Sequence, residues 1–96
     1  MKTKLSKKVL EHIVKRHPEV AAYTTKIVEI VQDPDLVIKG LRGELKALKL
    51  YTELRIGSKY LVAIYREAHE EKVIITAYFT SNTAKVKGDV IWRKRQ

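Results

Sequence analysis

The sequence predicts an α+β fold in which two N-terminal helices pack on one face of a four-stranded antiparallel sheet. Apolar residues recur at helical spacing through the first third of the chain, and from residue 36 onward their period changes to two. Short polar or glycine-containing segments separate the alternating stretches, as expected for strands joined in a meander. Helices followed by a run of strands is the element order of an α+β layer fold.

The first helix is predicted to begin at Thr3 or Leu5 and to run to Arg16, because an arc of apolar residues follows helical spacing there. Pro18 disfavours helical geometry at the preceding histidine, so the helix should end at that point. Proline suits the first turn of a new helix. The second helix is therefore predicted from Pro18 to about Val31, ahead of an Asp-Pro-Asp stop.

Alternation predicts four strands, with a short edge strand near the C-terminus as a possible fifth strand. The predicted strands are Leu36–Lys39, Leu45–Leu54, Lys59–Arg66 and Val73–Thr80, with Val90–Trp92 as the short edge strand. In the fourth strand the alternation places Val73, Ile75, Ala77 and Phe79 on one side and Ile74, Thr76, Tyr78 and Thr80 on the other.

Composition favours one intracellular domain over residues 1–96, with a basic C-terminal tail at about residues 85–96. The chain has 96 residues, 45% of them hydrophobic, which is enough for one core. It has no cysteine, which excludes thiol nucleophiles, disulfides and cysteine metal sites and is typical of intracellular proteins. No apolar run approaches the roughly 18 residues of a spanning helix. We expect a cytoplasmic location and no membrane partner.

The net charge of +9 is concentrated at the two ends of the chain. Residues 1–17 carry +5 and residues 85–96 carry +4, while residues 18–84 sum to zero. If the ends meet in space, they create one positive field that attracts a polyanion, and nucleic acid is the first candidate. A solvated helix face and a frayed tail are the alternative interpretation.

The segment EHIVKRHPE supplies the candidate chemistry. His12 and Arg16 are four residues apart, so they lie on one face of the predicted helix. Histidine transfers protons near neutral pH, and arginine presents a charged fork that suits phosphate. The alternative for His12 is an ordinary residue at the edge of an amphipathic helix. His17 points nearer the apolar arc, which favours a partly buried structural residue at the helix junction.

A second group of polar residues is predicted on the face of the sheet that the helices leave open. Lys49, Tyr51, Thr76, Tyr78 and Thr80 should share that face, where lysine, phenols and hydroxyls suit RNA. Each also has an ordinary role as a strand or packing residue. Further along, the candidate contacts for phosphate are Arg66, Ser81, Lys85 and Lys87, with the tail residues Arg93, Lys94 and Arg95 contributing positive charge.

Other site classes are weakly represented. His12 and His17 are five residues apart, which does not match the spacing of helical zinc motifs, so no metal site is predicted. The chain has no phosphate-binding glycine loop and no nucleophile elbow. Two helices at a tight turn resemble a helix-turn-helix, but the second carries only Lys26 as a cation. No cofactor is predicted.

The segments HIVKRHPE, DPDLVIKG, KALKLY, YLVAIYRE and VIITAYFTS, in this order, resemble the barnase–EndoU–colicin–RelE class of ribonucleases and toxins, most closely its phage-associated barnase-like branch. The resemblance covers about residues 9–81. It implies helices packed on a four-stranded antiparallel sheet with an active site on the exposed face. It also implies proton transfer by His12 with Arg16 or His17 assisting, a strand cation at Lys46 or Lys49, charge from Arg66, and a cleft lined by Thr76, Tyr78, Thr80 and Ser81.

The resulting expectation is a metal-independent endoribonuclease, of a toxin or mobile-element type, that forms a 2′,3′-cyclic phosphate. RNA is the expected partner, and an acidic antitoxin or immunity protein is compatible with it. One alternative is a nonenzymatic nucleic-acid-binding module that uses the same basic surfaces. The other is an inactive toxin-like domain whose Ile74 and Tyr78 face contacts protein.

Overall fold

The structure consists of two α-helices and a six-stranded sheet, and most of these elements follow the periodic apolar residues of the sequence. The computed structural model describes residues 1–55 and 57–95, apart from the side chain of Glu53. The strands are β1 (Lys2–Lys4), β2 (Leu36–Lys39), β3 (Leu45–Leu54), β4 (Gly57–Ala68), β5 (Glu71–Thr80) and β6 (Asp89–Arg93). The α-helices are α1 (Lys7–Arg16) and α2 (Thr24–Gln32), and short 3-10 helices span Pro18–Tyr23 and Thr83–Lys85.

The predicted four-stranded antiparallel sheet is wrong, although the α+β class is correct. The six strands lie in the order β1-β5-β4-β3-β2-β6, and β1 runs parallel to β5 while the other neighbours are antiparallel. The first helix begins later than predicted because the Ser6 hydroxyl caps it, accepting a hydrogen bond from the Val9 backbone N–H at 3.2 Å. Lys2–Lys4 are thereby left extended and pair with the start of β5.

The helices bury their apolar stripe against one face of the sheet, which we call the helix-covered face. Helix residues Ile13, Val20, Ile27, Ile30 and Val31 pack there on Ala47, Leu61, Ala63, Tyr65, Ile74 and Ala77. Ile13, Ile27 and Ile30 are fully buried, as expected for a stripe at helical spacing. This core fixes the position of the α1 C-terminus over β5.

The opposite face, which we call the open face, carries a second apolar cluster. Leu36, Leu48, Val62 and Tyr78 are direct neighbours in one row across four strands. Residues 81–88, which we call the crossing segment, pass from β5 towards β6 over this row, and Val86 packs on it with only 5% of its surface exposed. The crossing segment therefore divides the open face into two parts.

A bulge in the pairing of β4 with β5 changes the predicted alternation. The register shifts between Ile64 and Tyr65, so that Ile74 faces the helices and is 1% exposed. Ile75, predicted on the side of Ala77, instead lines a pocket with Ile64 on the open face and is 39% exposed. One extra residue in a strand reverses the side on which the preceding residues point.

Candidate functional site

His17 is held where the first helix ends, beside the exposed edge of β5. Its backbone leaves helical geometry at φ −131°, and its N–H still bonds to the Ile13 carbonyl at 2.7 Å. Pro18 then starts the 3-10 helix, so the imidazole points away from the helix axis towards the sheet. Its Nδ1 lies 3.5 Å from Oε1 of Glu19, and its ring centroid is 5.8 Å from that of Tyr78.

Tyr78 brings a phenol to the same place from the open face. The residue pairs with Val62 on β4, and its ring packs partly on the open-face apolar cluster. Burial raises the pKa of the Tyr78 phenol above its usual 10.0. The hydroxyl is therefore a neutral hydrogen-bond donor near neutral pH.

A concavity of about 380 Å³ lies at the end of β5, and Glu19, the carboxylate beside His17, is part of its wall. It is lined by Glu19, Lys59, Phe79, Thr80, Ser81 and Lys85. The Thr80 hydroxyl accepts a hydrogen bond from the Asn82 backbone N–H at 3.2 Å, and the Asn82 side chain caps the short helix that carries Lys85. We call His17, Glu19, Lys59, Tyr78, Thr80, Ser81 and Lys85 the β5-end cluster. A histidine, a carboxylate, hydroxyls and two ammonium groups are a set suited to a phosphodiester.

A second concavity, of about 430 Å³, lies on the other side of the crossing segment. Its lining combines the cations Arg42, Lys46, Arg66 and Lys87 with Glu44 and the apolar Leu41, Ile64 and Ile75. Lys46 Nζ donates to the Lys87 carbonyl at 2.7 Å, and Arg66 donates to the Arg42 carbonyl at 3.2 Å. We call this the basic pocket. The predicted catalytic cation Arg66 therefore lies together with two predicted RNA contacts, Lys46 and Lys87.

Lys49 and Tyr51 do not share a face with Thr76 and Tyr78, contrary to the expectation. In the register of β3 with β4, Lys49 pairs with Leu61 of the helix-covered core. Lys49 Nζ lies 3.1 Å from Asp33, and the Tyr51 hydroxyl donates to Glu29 on α2 at 2.7 Å. The alternation of β3 is as predicted, but its sign relative to β5 depends on register, which a single strand does not specify.

The remaining predicted residues are spread over the surface. His12 and Arg16 are both exposed on α1, in the helical layer, whereas Thr76 pairs with Ile64 on the open face. None of the contacts among the described residues joins His12 to Tyr78. The predicted roles of His12 and Arg16 remain predictions. Within the predicted set, the structure brings His17, not His12, to Tyr78.

The first and last strands of the chain lie at opposite edges of the sheet. β1 is one edge strand and β6 is the other, about 24 Å apart at the usual spacing between strands. Lys2 and Lys4 of β1 are therefore too far from Arg93 of β6 to share one positive field. The C-terminal residues Arg93, Lys94 and Arg95 instead line a groove with Tyr60 at the far end of the open face.

The residues of these sites that the sequence prediction missed include Glu19, Lys59, Tyr60 and Arg42. Glu19 follows the proline in the predicted site motif, but the pattern assigns it to a helix N-terminus. Lys59 and Tyr60 begin a predicted strand, and Arg42 lies in a turn. Only strand register and the course of the crossing segment bring them to these surfaces.

A scan against protein-family models and searches of curated proteins and of solved structures found no match for this chain. The resemblance to the barnase–EndoU–colicin–RelE class therefore stays a prediction. Across residues 1–55 and 57–95, no three His, Asp or Glu side chains are grouped as metal ligands. In that same part of the chain, no helix is both long and apolar enough to cross a membrane.

Proposed function

We propose that this protein is a metal-independent endoribonuclease whose reacting phosphodiester binds at the β5-end cluster. The observation that carries the proposal is the position of His17 between the Glu19 carboxylate and the Tyr78 ring, since Glu19 also lines the concavity with Thr80 and Lys85. When a carboxylate lies beside one nitrogen of a histidine ring, the other nitrogen is available for proton transfer.

The proposed reaction is transesterification at phosphorus. The 2′-oxygen forms a bond to phosphorus, the bond from phosphorus to the 5′-oxygen breaks, and the products are a 2′,3′-cyclic phosphate and a 5′-hydroxyl. Nε2 of His17 takes the proton of the 2′-hydroxyl and returns it to the departing 5′-oxygen, so that the protons balance. Glu19 orients the ring through Nδ1 and stabilises the transient imidazolium.

The other members of the cluster supply charge and hydrogen bonds. Lys59 and Lys85 line the same concavity as Thr80, where their ammonium groups would stabilise the added negative charge of the phosphorane. The neutral phenol of Tyr78 can donate a hydrogen bond to a phosphate oxygen. As part of the same proposal, the enzyme is of a toxin or mobile-element type and acts on RNA in the cytoplasm, which fits the lack of cysteine.

The experiment is incubation of the purified protein with single-stranded RNA, transfer RNA and ribosomes in excess EDTA. We expect cleavage products that end in a 2′,3′-cyclic phosphate. We expect His17→Ala to reduce the cleavage rate by about 10² to 10⁴-fold, the usual range for loss of a general acid–base group. His69→Ala is the matched control, because His69 lies in the turn between β4 and β5, at the opposite end of β5 from the β5-end cluster. Absence of cleavage of every substrate by the wild type contradicts the proposal.

A nonenzymatic nucleic-acid-binding module is the second candidate, and the basic pocket favours it. Four cations surround that pocket, and two of them are already oriented by hydrogen bonds to carbonyl groups. Binding of RNA that weakens with salt, without cleavage in the same assay, would favour this function. Neutralising Lys46 and Arg66 together should then lower the salt dependence of binding.

A further inference from the structure

A groove of about 490 Å³ lies on the open face between the C-terminal tail and the start of β4. Its lining residues are Asp35, Leu36, Leu50, Tyr60, Arg93, Lys94 and Arg95. We call it the tail groove. It combines one aromatic ring and exposed apolar surface with the C-terminal cations, and Leu50 is 41% exposed within it.

The tail groove is continuous with the β5-end cluster through one row of the sheet. Tyr60 pairs directly with Leu50 on one side and with Thr80 on the other. Neighbouring strands are about 4.8 Å apart, so Tyr60 lies a single strand from Thr80. A strand of RNA whose phosphate lies at Thr80 would place its next nucleotide over Tyr60.

The cations of the tail groove are held in place rather than attached to a free tail. The Lys94 backbone N–H donates to the Asp35 carbonyl at 2.8 Å, and Lys94 Nζ bonds to Asp33 at 3.1 Å. Arg93 is the last residue of β6 and pairs with Leu36. Arg93 and Arg95, on either side of this anchored residue, are therefore positioned at the rim.

The lining favours an unpaired nucleotide over other anionic ligands. A phenol ring stacks on a base regardless of its identity, whereas guanidinium groups bind the phosphates on either side. The single carboxylate in the groove, that of Asp35, already accepts a hydrogen bond from the Leu50 backbone N–H at 2.9 Å. It is outnumbered by the two arginines, so phosphate is still attracted.

We propose that Tyr60, Arg93 and Arg95 form a binding subsite for one unpaired nucleotide next to the phosphodiester at the β5-end cluster. The location of that phosphodiester rests on the proposed function. The subsite makes single-stranded RNA the substrate class, because a base in a duplex cannot stack on Tyr60.

The test measures the binding of a fluorescent oligouridine whose 2′-oxygens are methylated, so that cleavage cannot occur. We expect Tyr60→Leu to weaken binding about tenfold, whereas Tyr60→Phe, which keeps the ring, should bind like wild type. Replacing both Arg93 and Arg95 with Gln should lower the slope of log Kd against the logarithm of the salt concentration by about one to two. The matched control replaces Lys7 and Lys8 with Gln, since both are exposed on α1 in the opposite layer.

If Tyr60→Leu binds as tightly as wild type, the subsite is overturned. It is also overturned if the Lys7 and Lys8 control changes the salt dependence of binding as much as the Arg93 and Arg95 variant does. A loss of affinity for duplex RNA as large as that for the single strand also overturns it. Because the methylated RNA reports binding alone, a wild type that binds it through Tyr60 but cleaves no RNA contradicts only the proposed function.

Discussion

The imidazole of His17 lies 5.8 Å from the phenol ring of Tyr78, centroid to centroid, with the two ring planes inclined by 37°. The first residue ends a helix on one side of the sheet, and the second belongs to a strand whose side chain points to the open face. They meet because β1 pairs only with Glu71–Val73, which leaves the later part of β5 as an uncovered edge. This edge is where the helical layer reaches the open face.

This contact predicts a signal that does not depend on activity. Replacing Tyr78 with Leu should remove the ring current that acts on His17, and the imidazole proton resonances of His17 should shift in the nuclear magnetic resonance spectrum. The imidazole resonances of His69, which lies in a distant turn, should not shift. Tyr78→Phe keeps the ring and should leave the His17 resonances near their wild-type positions. Identical His17 resonances in Tyr78→Leu and wild type would show that the rings do not pack in solution.

The ion pairs of Asp33 predict a loss of stability in acid. Its hydrogen bond to Lys49, and then that to Lys94, lower the pKa of the Asp33 carboxyl below its usual 3.8. The carboxylate therefore stabilises the folded state above pH 3.8, and the effect is lost as the pH falls through the lower folded-state pKa.

We expect Asp33→Asn to have a smaller free energy of unfolding than wild type at neutral pH, measured by urea denaturation. The difference should shrink well below pH 3.8 and also in high salt, because Asp33 is exposed and its ion pairs are screened. Glu11→Gln on α1 is the control for removal of one exposed carboxylate. A difference that is independent of pH would contradict the assignment to the ionised group.

Val86 predicts how firmly the crossing segment is attached. The side chain is 5% exposed against Leu36, Ile38, Leu48 and Val62. Val86→Ala should lower the free energy of unfolding by about 1.5 kcal/mol, the transfer cost of the two lost carbon groups. It should also increase proteolytic cleavage within residues 81–88 under native conditions.

Val90→Ala is the control for Val86, since Val90 is 42% exposed on the edge strand. Its effect should be within about 0.5 kcal/mol. Equal effects of the two substitutions on native-state proteolysis would mean that Val86 does not hold the crossing segment down.

The turn between β4 and β5 contains a removable source of strain. His69 and Glu70 adopt φ of 51° and 62°, the left-handed region that side chains with a Cβ disfavour. Glu70→Gly should therefore raise the free energy of unfolding by about 1 kcal/mol, as glycine does in two-residue hairpin turns.

Glu67→Gly, in the adjoining strand, should have the opposite effect on thermal and urea denaturation and destabilise by about 1 kcal/mol. A decrease in stability for Glu70→Gly would show that the glutamate side chain makes a stabilising contact that offsets the strain.

The sequence by itself determined the local elements. Helical spacing located α1 and α2, Pro18 located the break between them, and alternation located four strands and the short strand at Val90–Trp92, because these signals depend on neighbouring residues. It also identified individual members of the candidate sites, including His17, Tyr78, Thr80, Ser81 and Lys85. The sequence did not predict β1 or its parallel pairing with β5, because a strand of three residues, Lys2–Lys4, is too short to show a periodic pattern.

Only the tertiary structure decided which of these residues meet. The register of β3 turned Lys49 towards Asp33, and the bulge in β5 exchanged the faces of Ile74 and Ile75. The edge of β5 brought Tyr78 to His17 instead of to His12. The physical reason is that a side-chain pattern fixes alternation within a strand, whereas the face it takes depends on pairing with residues distant in sequence.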